Sequence, residues 1–204
     1  RDRTHDMDVL ARIVEDMLAR RPDHIAMTGD ILNIGLQAEF PLARAWLETL
    51  GSHEQVSFAP GNHDAYVRST LAHLTRTFAP YCRDDGAPDS ARSHFPYMRV
   101  RGGVALIGLS TGVPTAPFIA SGRLGRAQLA EFGAALAKAR AQGLPRVVMM
   151  HHPPVKAAAR GLTDVRAFEE TLREHGAELI LHGHNHRASV DYLEGPGGQA
   201  IPFV

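Results

Sequence analysis

The chain has 204 residues, with 22 basic and 22 acidic side chains and a formal net charge of zero. This length suits one domain, and the balanced charge gives no bulk electrostatic reason to expect a nucleic-acid partner. No stretch approaches the roughly 20 apolar residues of a membrane span, and the first residues lack the apolar segment of a signal peptide. We therefore expect a cytoplasmic protein. The single cysteine, Cys82, excludes an internal disulfide and a cysteine-type zinc site.

Helices and short apolar strands alternate along most of the sequence. The apolar residues of the first helical segment recur at i, i+3, i+4 and i+7, which is the pattern of an amphipathic helix. Helices are predicted over 7–20, 37–50, 66–78, 126–142 and 163–175. Buried strands are predicted over 24–28, 55–59, 146–150 and 177–181, a hairpin over 97–101 and 104–110, and further strands over 188–193 and 201–204. The alternation indicates an α/β protein.

Each of the four buried strands is followed by a polar cluster. These clusters are Gly29-Asp30, Gly61-Asn62-His63-Asp64, His151-His152 and the stretch from His182 to His186. In open α/β sheets, ligands bind at the carboxyl ends of the strands. We therefore expect the four clusters to converge at one edge of the sheet.

The side chains in these clusters offer carboxylate, amide and imidazole donors and no thiolate. Such donors suit divalent zinc, iron and manganese. One ion seldom takes so many ligands, so we expect two ions, with Asp30 as the carboxylate that bridges them. His184 and His186 would have Cα atoms about 6.6 Å apart on an extended chain, so each could serve one ion.

The order and spacing of these clusters resemble the calcineurin-like metallophosphoesterase superfamily. The resemblance rests on Gly29-Asp30, Gly61-Asn62-His63-Asp64, His151 and Gly183-His184-Asn185-His186, and it covers nearly the whole chain. The last block follows the second by over a hundred residues, which makes the combination specific. The His-His-Pro-Pro segment and the long middle loop resemble the bacterial phosphodiesterase-like branch of the superfamily.

This resemblance implies the fold, the activity and a role for each motif residue. The implied fold is a four-layer α/β/β/α sandwich, with two mixed sheets face to face and helices outside each. The implied activity is hydrolysis of a phosphoester, most readily a phosphodiester, by a metal-activated hydroxide at a dinuclear site holding two ions of manganese, iron or zinc. Asp30 would bridge the ions, Asn62, His151 and His184 would complete the second site, and His186 would belong to the first.

The resemblance also implies the catalytic pair. His63 would act as a general acid or contact the phosphate, and Asp64 would hydrogen-bond His63 and orient it.

The sequence departs from the family at the first metal site. The family begins with an Asp-x-His pair on its first strand, and here Asp2 and His5 are three residues apart. We expect that a segment with this pair precedes Arg1, and that the chain also stops inside its last strand. For the chain as written, we expect one ion and weak catalysis. The alternative hypothesis is a non-catalytic protein-binding scaffold with a degenerate metal site.

Three further residues beside the motifs allow more than one interpretation. His152 follows a predicted ligand and would support it from behind. His182 could orient a ligand or line the pocket, and Arg187 could contact a substrate anion or lie at the surface as an ordinary arginine. The substrate, the metal and the oligomeric state have no sequence signal.

Overall fold

The structure is a computed structural model that describes residues 6–88, 90–91, 93–116, 118–157 and 159–204. Its helices are α1 Met7–Ala19, α2 Glu39–Leu50, α3 Asn62–Ala65, α4 Leu71–Thr77, α5 Arg126–Ala141 and α6 Val165–His175. Its strands are β1 Ile25–Met27, β2 Val56–Phe58, β3 Tyr97–Arg101, β4 Val104–Gly108, β5 Arg146–Met149, β6 Leu179–Leu181, β7 Asp191–Glu194 and β8 Ala200–Phe203. The predicted strands are all present at or near the predicted positions. None of the helices in the described ranges is long and apolar enough to cross a membrane.

These eight strands form two sheets. The smaller sheet contains β1 and β2, which pair in parallel. The larger sheet has the order β3-β4-β5-β6-β8-β7. Its four central strands run parallel, and the hairpins β3–β4 and β7–β8 add an antiparallel strand at each edge.

Three apolar clusters separate four layers of structure. One cluster lies between the smaller sheet and α2 and α4, and it contains Leu47, Phe58 and Phe78. A second, with Ala59, Leu106 and Met149, lies between the two sheets. The third packs α5 and α6 against the larger sheet. The predicted α/β/β/α sandwich is confirmed, with a smaller sheet of two parallel strands in the described part of the chain.

The single helix predicted over 66–78 is wrong. The structure has the short helix α3, then a 3₁₀ turn over Arg68–Thr70, and then α4. Val67 separates the two helices because its backbone is extended, with φ −93° and ψ 108°. The Thr70 hydroxyl donates to the Gly35 carbonyl at 2.8 Å, which ties α4 to the loop after β1. A contact across 35 positions thus overrides the local helical pattern.

Arg99 on β3 joins the larger sheet to the segment around β2. Its side chain is buried and donates to the carbonyls of His53 at 2.7 Å, Val56 at 2.9 Å and Arg83 at 2.9 Å, and also to that of Pro80. Charge-assisted bonds to buried carbonyls are among the stronger hydrogen bonds in a protein. The guanidinium therefore stabilises the contact between the sheets.

Replacing Arg99 should destabilise the fold strongly. Arg99→Met removes the donor from buried carbonyls, and we expect a loss of about 3 kcal/mol in the free energy of unfolding. Urea titration measures this loss. Arg101→Met is the matched control, because its ion pairs with Glu54 and Asp85 involve largely exposed carboxylates and should cost under about 1 kcal/mol. Equal losses in the two variants would contradict this role of Arg99.

Candidate metal centre

The predicted donor residues meet where the carboxyl ends of four strands face each other across the two sheets. Asp30 and Asn62 follow β1 and β2 of the smaller sheet, and His151 and His184 follow β5 and β6 of the larger one. The convergence is as predicted, but it is formed between two sheets instead of at the edge of one. The Nδ1 of His151 crosses the gap and lies 2.7 Å from the Thr28 carbonyl oxygen.

The other ring nitrogen of His151 is the centre of the cluster. Its Nε2 lies 3.1 Å from Oδ2 of Asp30, 3.1 Å from Oδ1 of Asn62 and 3.2 Å from Nδ1 of His184. In the described part of the chain, Asp30, His151 and His184 form the one group of three histidine or carboxylate donors close enough to share an ion. Asn62 brings a fourth donor atom to the same point.

The positions of the protons show whether these atoms suit a metal. A carbonyl only accepts, so Nδ1 of His151 carries the proton that is donated to Thr28, and Nε2 presents a lone pair. Burial and the neighbouring imidazole of His151 lower the pKa of His184 to about 4, so protonation of His184 does not readily bring positive charge to the cluster. Carboxylate, amide and imidazole lone pairs thus face one another, and a cation satisfies all of them.

The spacing of the donors also fits a single ion. Ligand atoms about 2.1 Å from an ion lie roughly 3.0 to 3.4 Å apart at octahedral or tetrahedral angles. The three distances from Nε2 of His151 fall in this range. The residues of the cluster therefore fit the divalent ion that the sequence motifs imply.

The surroundings of Asp30 lower the pKa of its carboxyl group and fix its position. Burial alone would raise its pKa, but the neighbouring His151 and the backbone amide of His63 hold the pKa below its usual value. The amide of His63 donates to Oδ1 at 3.0 Å. Gly61 leaves the space that the carboxylate occupies, because a Cβ at this position would overlap Oδ1 of Asp30.

His152 lies behind the donors, as the prediction of a supporting role requires. It is fully buried, and its ring centroid is 4.5 Å from that of His184 and 5.0 Å from that of His151. Its Nε2 bonds the Ala120 carbonyl at 3.0 Å and its Nδ1 bonds the Thr111 hydroxyl at 2.8 Å. Burial lowers its pKa to about 3, so it is a neutral packing partner whose nitrogens are both occupied.

The predicted hydrogen bond between Asp64 and His63 is wrong. Nδ1 of His63 lies 2.5 Å from the carbonyl oxygen of Asn33, so this carbonyl orients the ring. The carboxylate of Asp64 points inward and accepts from the backbone amides of Asp30 at 2.8 Å, Leu32 at 2.9 Å and Gly61 at 2.8 Å. Asp64 is fully buried. Three backbone amides hold its carboxylate in the interior, and a hydrogen bond to a side chain at the cavity would require the carboxylate to turn away from them.

A cavity of about 840 Å³ opens over the donor cluster. Its lining includes Asp30, Asn62, His63 and His184, together with the exposed His186. The loops after β4 and β5 add a largely apolar set of lining residues, which are Thr115, Ala116, Phe118, Ile119, Ala120 and Arg160. The cavity thus combines polar residues of the candidate centre with largely apolar residues of two loops.

Four residues named in the sequence analysis lie away from the cavity or outside the described residues. The ring of His182 packs 5.7 Å from that of Phe203, centroid to centroid, and its Nδ1 is 3.0 Å from the Gly183 carbonyl, so it does not line the cavity. Arg187 is exposed and is also not part of the lining among the described residues. Asp2 and His5 fall outside the described residues.

Two lining residues were missed by the sequence reasoning. Tyr66 accepts a hydrogen bond from Nδ2 of Asn62, and Arg160 brings a cation to the cavity. The spacing of four between Asn62 and Tyr66 was a usable signal, because such residues are neighbours on a helix. Arg160 had no comparable signal, since it lies in a loop far from the motifs in the sequence.

Comparison with known proteins identifies the family. The profile of the Calcineurin-like phosphoesterase family matches residues 4–188, which is most of the chain. The chain belongs to this family of calcineurin-like phosphoesterases.

One curated relative and two solved structures are similar to the chain. A Synechococcus protein described as "Probable cyclic nucleotide phosphodiesterase" is 30% identical over 196 residues, which are 92% of this chain and 66% of the relative. The chain thus spans just under two thirds of that protein. A dimetal phosphatase from Danio rerio has a TM-score of 0.63 at 15% identity, covering 96% of this chain and 76% of its own. A protein of Thermus thermophilus, TT1561, has a TM-score of 0.54 at 15% identity, covering 97% of this chain and 83% of its own.

The role of Asp64 in holding the backbone can be tested with Asp64→Asn. The side-chain amide of the variant would present N–H groups toward backbone amides that need an acceptor. We therefore expect the free energy of unfolding to fall by about 3 kcal/mol. Asp84→Asn is the matched control, because Asp84 is exposed and accepts from the amide of Met98 at 2.7 Å. Urea titration of both metal-free variants measures the difference. A loss no larger than that of the control would show that the buried carboxylate contributes little.

Proposed function

We propose that the protein hydrolyses a phosphoester, most readily a phosphodiester, at a site that holds two divalent ions of manganese, iron or zinc. The observation that carries this proposal is the convergence of four lone-pair donor atoms, from Asp30, Asn62, His151 and His184, on one point. Membership of the calcineurin-like phosphoesterase family supports the same reaction. When bound, the ions supply Lewis-acid activation of the phosphoryl group and of water.

The donors are proposed to divide between the two ions. Asp30, Asn62, His151 and His184 would hold one ion, and Asp30 and His186 would contribute to a second. His186 supports this division because it lines the same cavity as Asp30 and lies outside the compact donor cluster. His152 keeps its neighbours in place from behind through ring contacts with both imidazole ligands.

His63 is proposed as the general acid for the leaving group. The Asn33 carbonyl accepts the proton on Nδ1, so Nε2 is the ring nitrogen left to contact a substrate. His63 is partly buried and lines the cavity, within reach of a substrate held at the metal centre. A histidine positioned in this way can deliver a proton to the oxygen that leaves phosphorus. Asp64 acts through the backbone of the site and is a positioning residue.

The preference for a diester is supported by the size and composition of the cavity. A volume of about 840 Å³ exceeds the space that a phosphoryl group needs. The apolar lining residues, including Phe118 and Ile119, suit organic substituents, and Arg160 adds a positive charge. The Synechococcus relative described as "Probable cyclic nucleotide phosphodiesterase" supports the same class of substrate.

Replacing His184 tests the metal centre and the activity together. We expect His184→Ala to weaken Mn²⁺ binding at least tenfold and to lower turnover of bis(4-nitrophenyl) phosphate at least a hundredfold, because one imidazole donor is lost. Calorimetry and a colorimetric assay of the full chain with added Mn²⁺ measure the two effects. His182→Ala is the matched control, since His182 is two residues away and packs on Phe203. It should keep metal affinity and turnover within a few-fold.

The following outcomes would contradict the proposal or a part of it. Metal-independent hydrolysis, or none by the wild-type protein with Mn²⁺, Fe²⁺ or Zn²⁺, would reject the proposed reaction. Metal binding without any hydrolysis would favour a binding scaffold on this fold. Faster hydrolysis of 4-nitrophenyl phosphate than of the bis-aryl ester would reject the preference for a diester.

A further inference from the structure

Tyr66 contacts two residues of the proposed site and also lines the cavity. It follows α3 and lies four residues after Asn62, whose Nδ2 donates to the tyrosine hydroxyl. Its ring centroid is 4.9 Å from that of His63, with the two planes at 58°. The side chain is partly buried and lines the cavity together with Asp30 and His184. One phenol thus connects a donor residue, the proposed acid and the space for a substrate.

The orientation of the Asn62 amide determines what the tyrosine hydroxyl can do. An amide has one oxygen that accepts and one nitrogen that donates. In the structure the oxygen lies 3.1 Å from Nε2 of His151, and the nitrogen is directed to the hydroxyl of Tyr66. With a cation at the cluster this orientation is fixed, because a metal binds the amide oxygen and not the nitrogen. The hydroxyl of Tyr66 is therefore an acceptor toward Asn62.

The proton of the tyrosine hydroxyl is left for the cavity. A phenol has a single proton, and the bond from Asn62 does not use it. Among the described residues, no hydrogen bond takes up this proton. The hydroxyl is therefore a neutral donor at the edge of the metal centre, next to the ring of His63. Oxygens of a phosphoryl group are strong acceptors and gain negative charge as the reaction proceeds.

We propose that Tyr66 is a catalytic residue whose hydroxyl donates a hydrogen bond to a non-bridging phosphoryl oxygen of the substrate, while it holds the Asn62 amide with its oxygen toward the metal. This inference rests on the proposed function. Removal of one donor that points at developing charge lowers turnover by about 10²–10³ in well-studied enzymes. A partly exposed donor should contribute at the lower end of this range.

The test is Tyr66→Phe, which removes the hydroxyl and keeps the ring against His63. With the full chain and saturating Mn²⁺, we expect kcat for bis(4-nitrophenyl) phosphate to fall about 100-fold. The inhibition constant of inorganic phosphate should rise at least fivefold, since the same donor contacts a phosphoryl oxygen. The dissociation constant of Mn²⁺ should change by less than about threefold. Tyr192→Phe, at an exposed tyrosine on β7, is the matched control and should change none of these values.

The outcomes separate this inference from the proposed function. An inactive wild-type protein rejects the proposed function, and phosphate affinity of the metal-loaded protein, measured by calorimetry, still tests the contact with Tyr66. An active wild-type protein whose Tyr66→Phe variant keeps its kcat and phosphate affinity rejects the role of Tyr66 alone. A variant with a lower melting temperature and unchanged phosphate affinity also rejects it. Weaker Mn²⁺ binding with normal kinetics at saturating metal would reduce Tyr66 to a positioning residue for Asn62 and would overturn the substrate contact.

Discussion

The hydrogen bond from Nδ1 of His151 to the Thr28 carbonyl is the interaction on which the candidate site depends. It joins the larger sheet to the loop after β1, so it fixes the distance between the two halves of the site. It also places the ring proton on Nδ1, so Nε2 presents a lone pair toward Asp30, Asn62 and His184. One main-chain acceptor thus sets both the geometry and the chemistry of the cluster.

The groups around this bond leave the donors little freedom to move. The buried carboxylate of Asp64 accepts from backbone amides in the loops after β1 and β2, and the neutral ring of His152 packs against the rings of His151 and His184. Gly61 provides the gap that Asp30 enters. Each of these contacts constrains a different degree of freedom: the backbone, the ring planes and the approach of the two loops. The arrangement explains why residues that never reach the cavity are still essential to its shape.

Most of the fold and the donor set could be predicted from the sequence, because apolar strands and the polar residues that follow them are local patterns. The contacts of individual side chains could not, because they depend on how distant segments meet. His182 and His184 share a strand-like period, yet one ring packs on Phe203 and the other faces His151. Asp64 follows His63 directly, but its partners are backbone amides of two loops. The break in the helix at Val67 likewise follows from the contact of Thr70 with a loop 35 residues earlier.

The backbone conformations at the cavity have a consequence for how the site binds. Asp30, His184 and His186 have φ values of 60°, 69° and 51°, in the left-handed region that residues with a side chain seldom adopt. Such conformations cost about 1 kcal/mol or more each and persist only where the surrounding structure enforces them. The packing of the sandwich therefore offsets the free-energy cost of these three backbone conformations when the protein folds. These three candidate donors are thus held in place by the fold itself, and no rearrangement of their loops is needed to bring them into position.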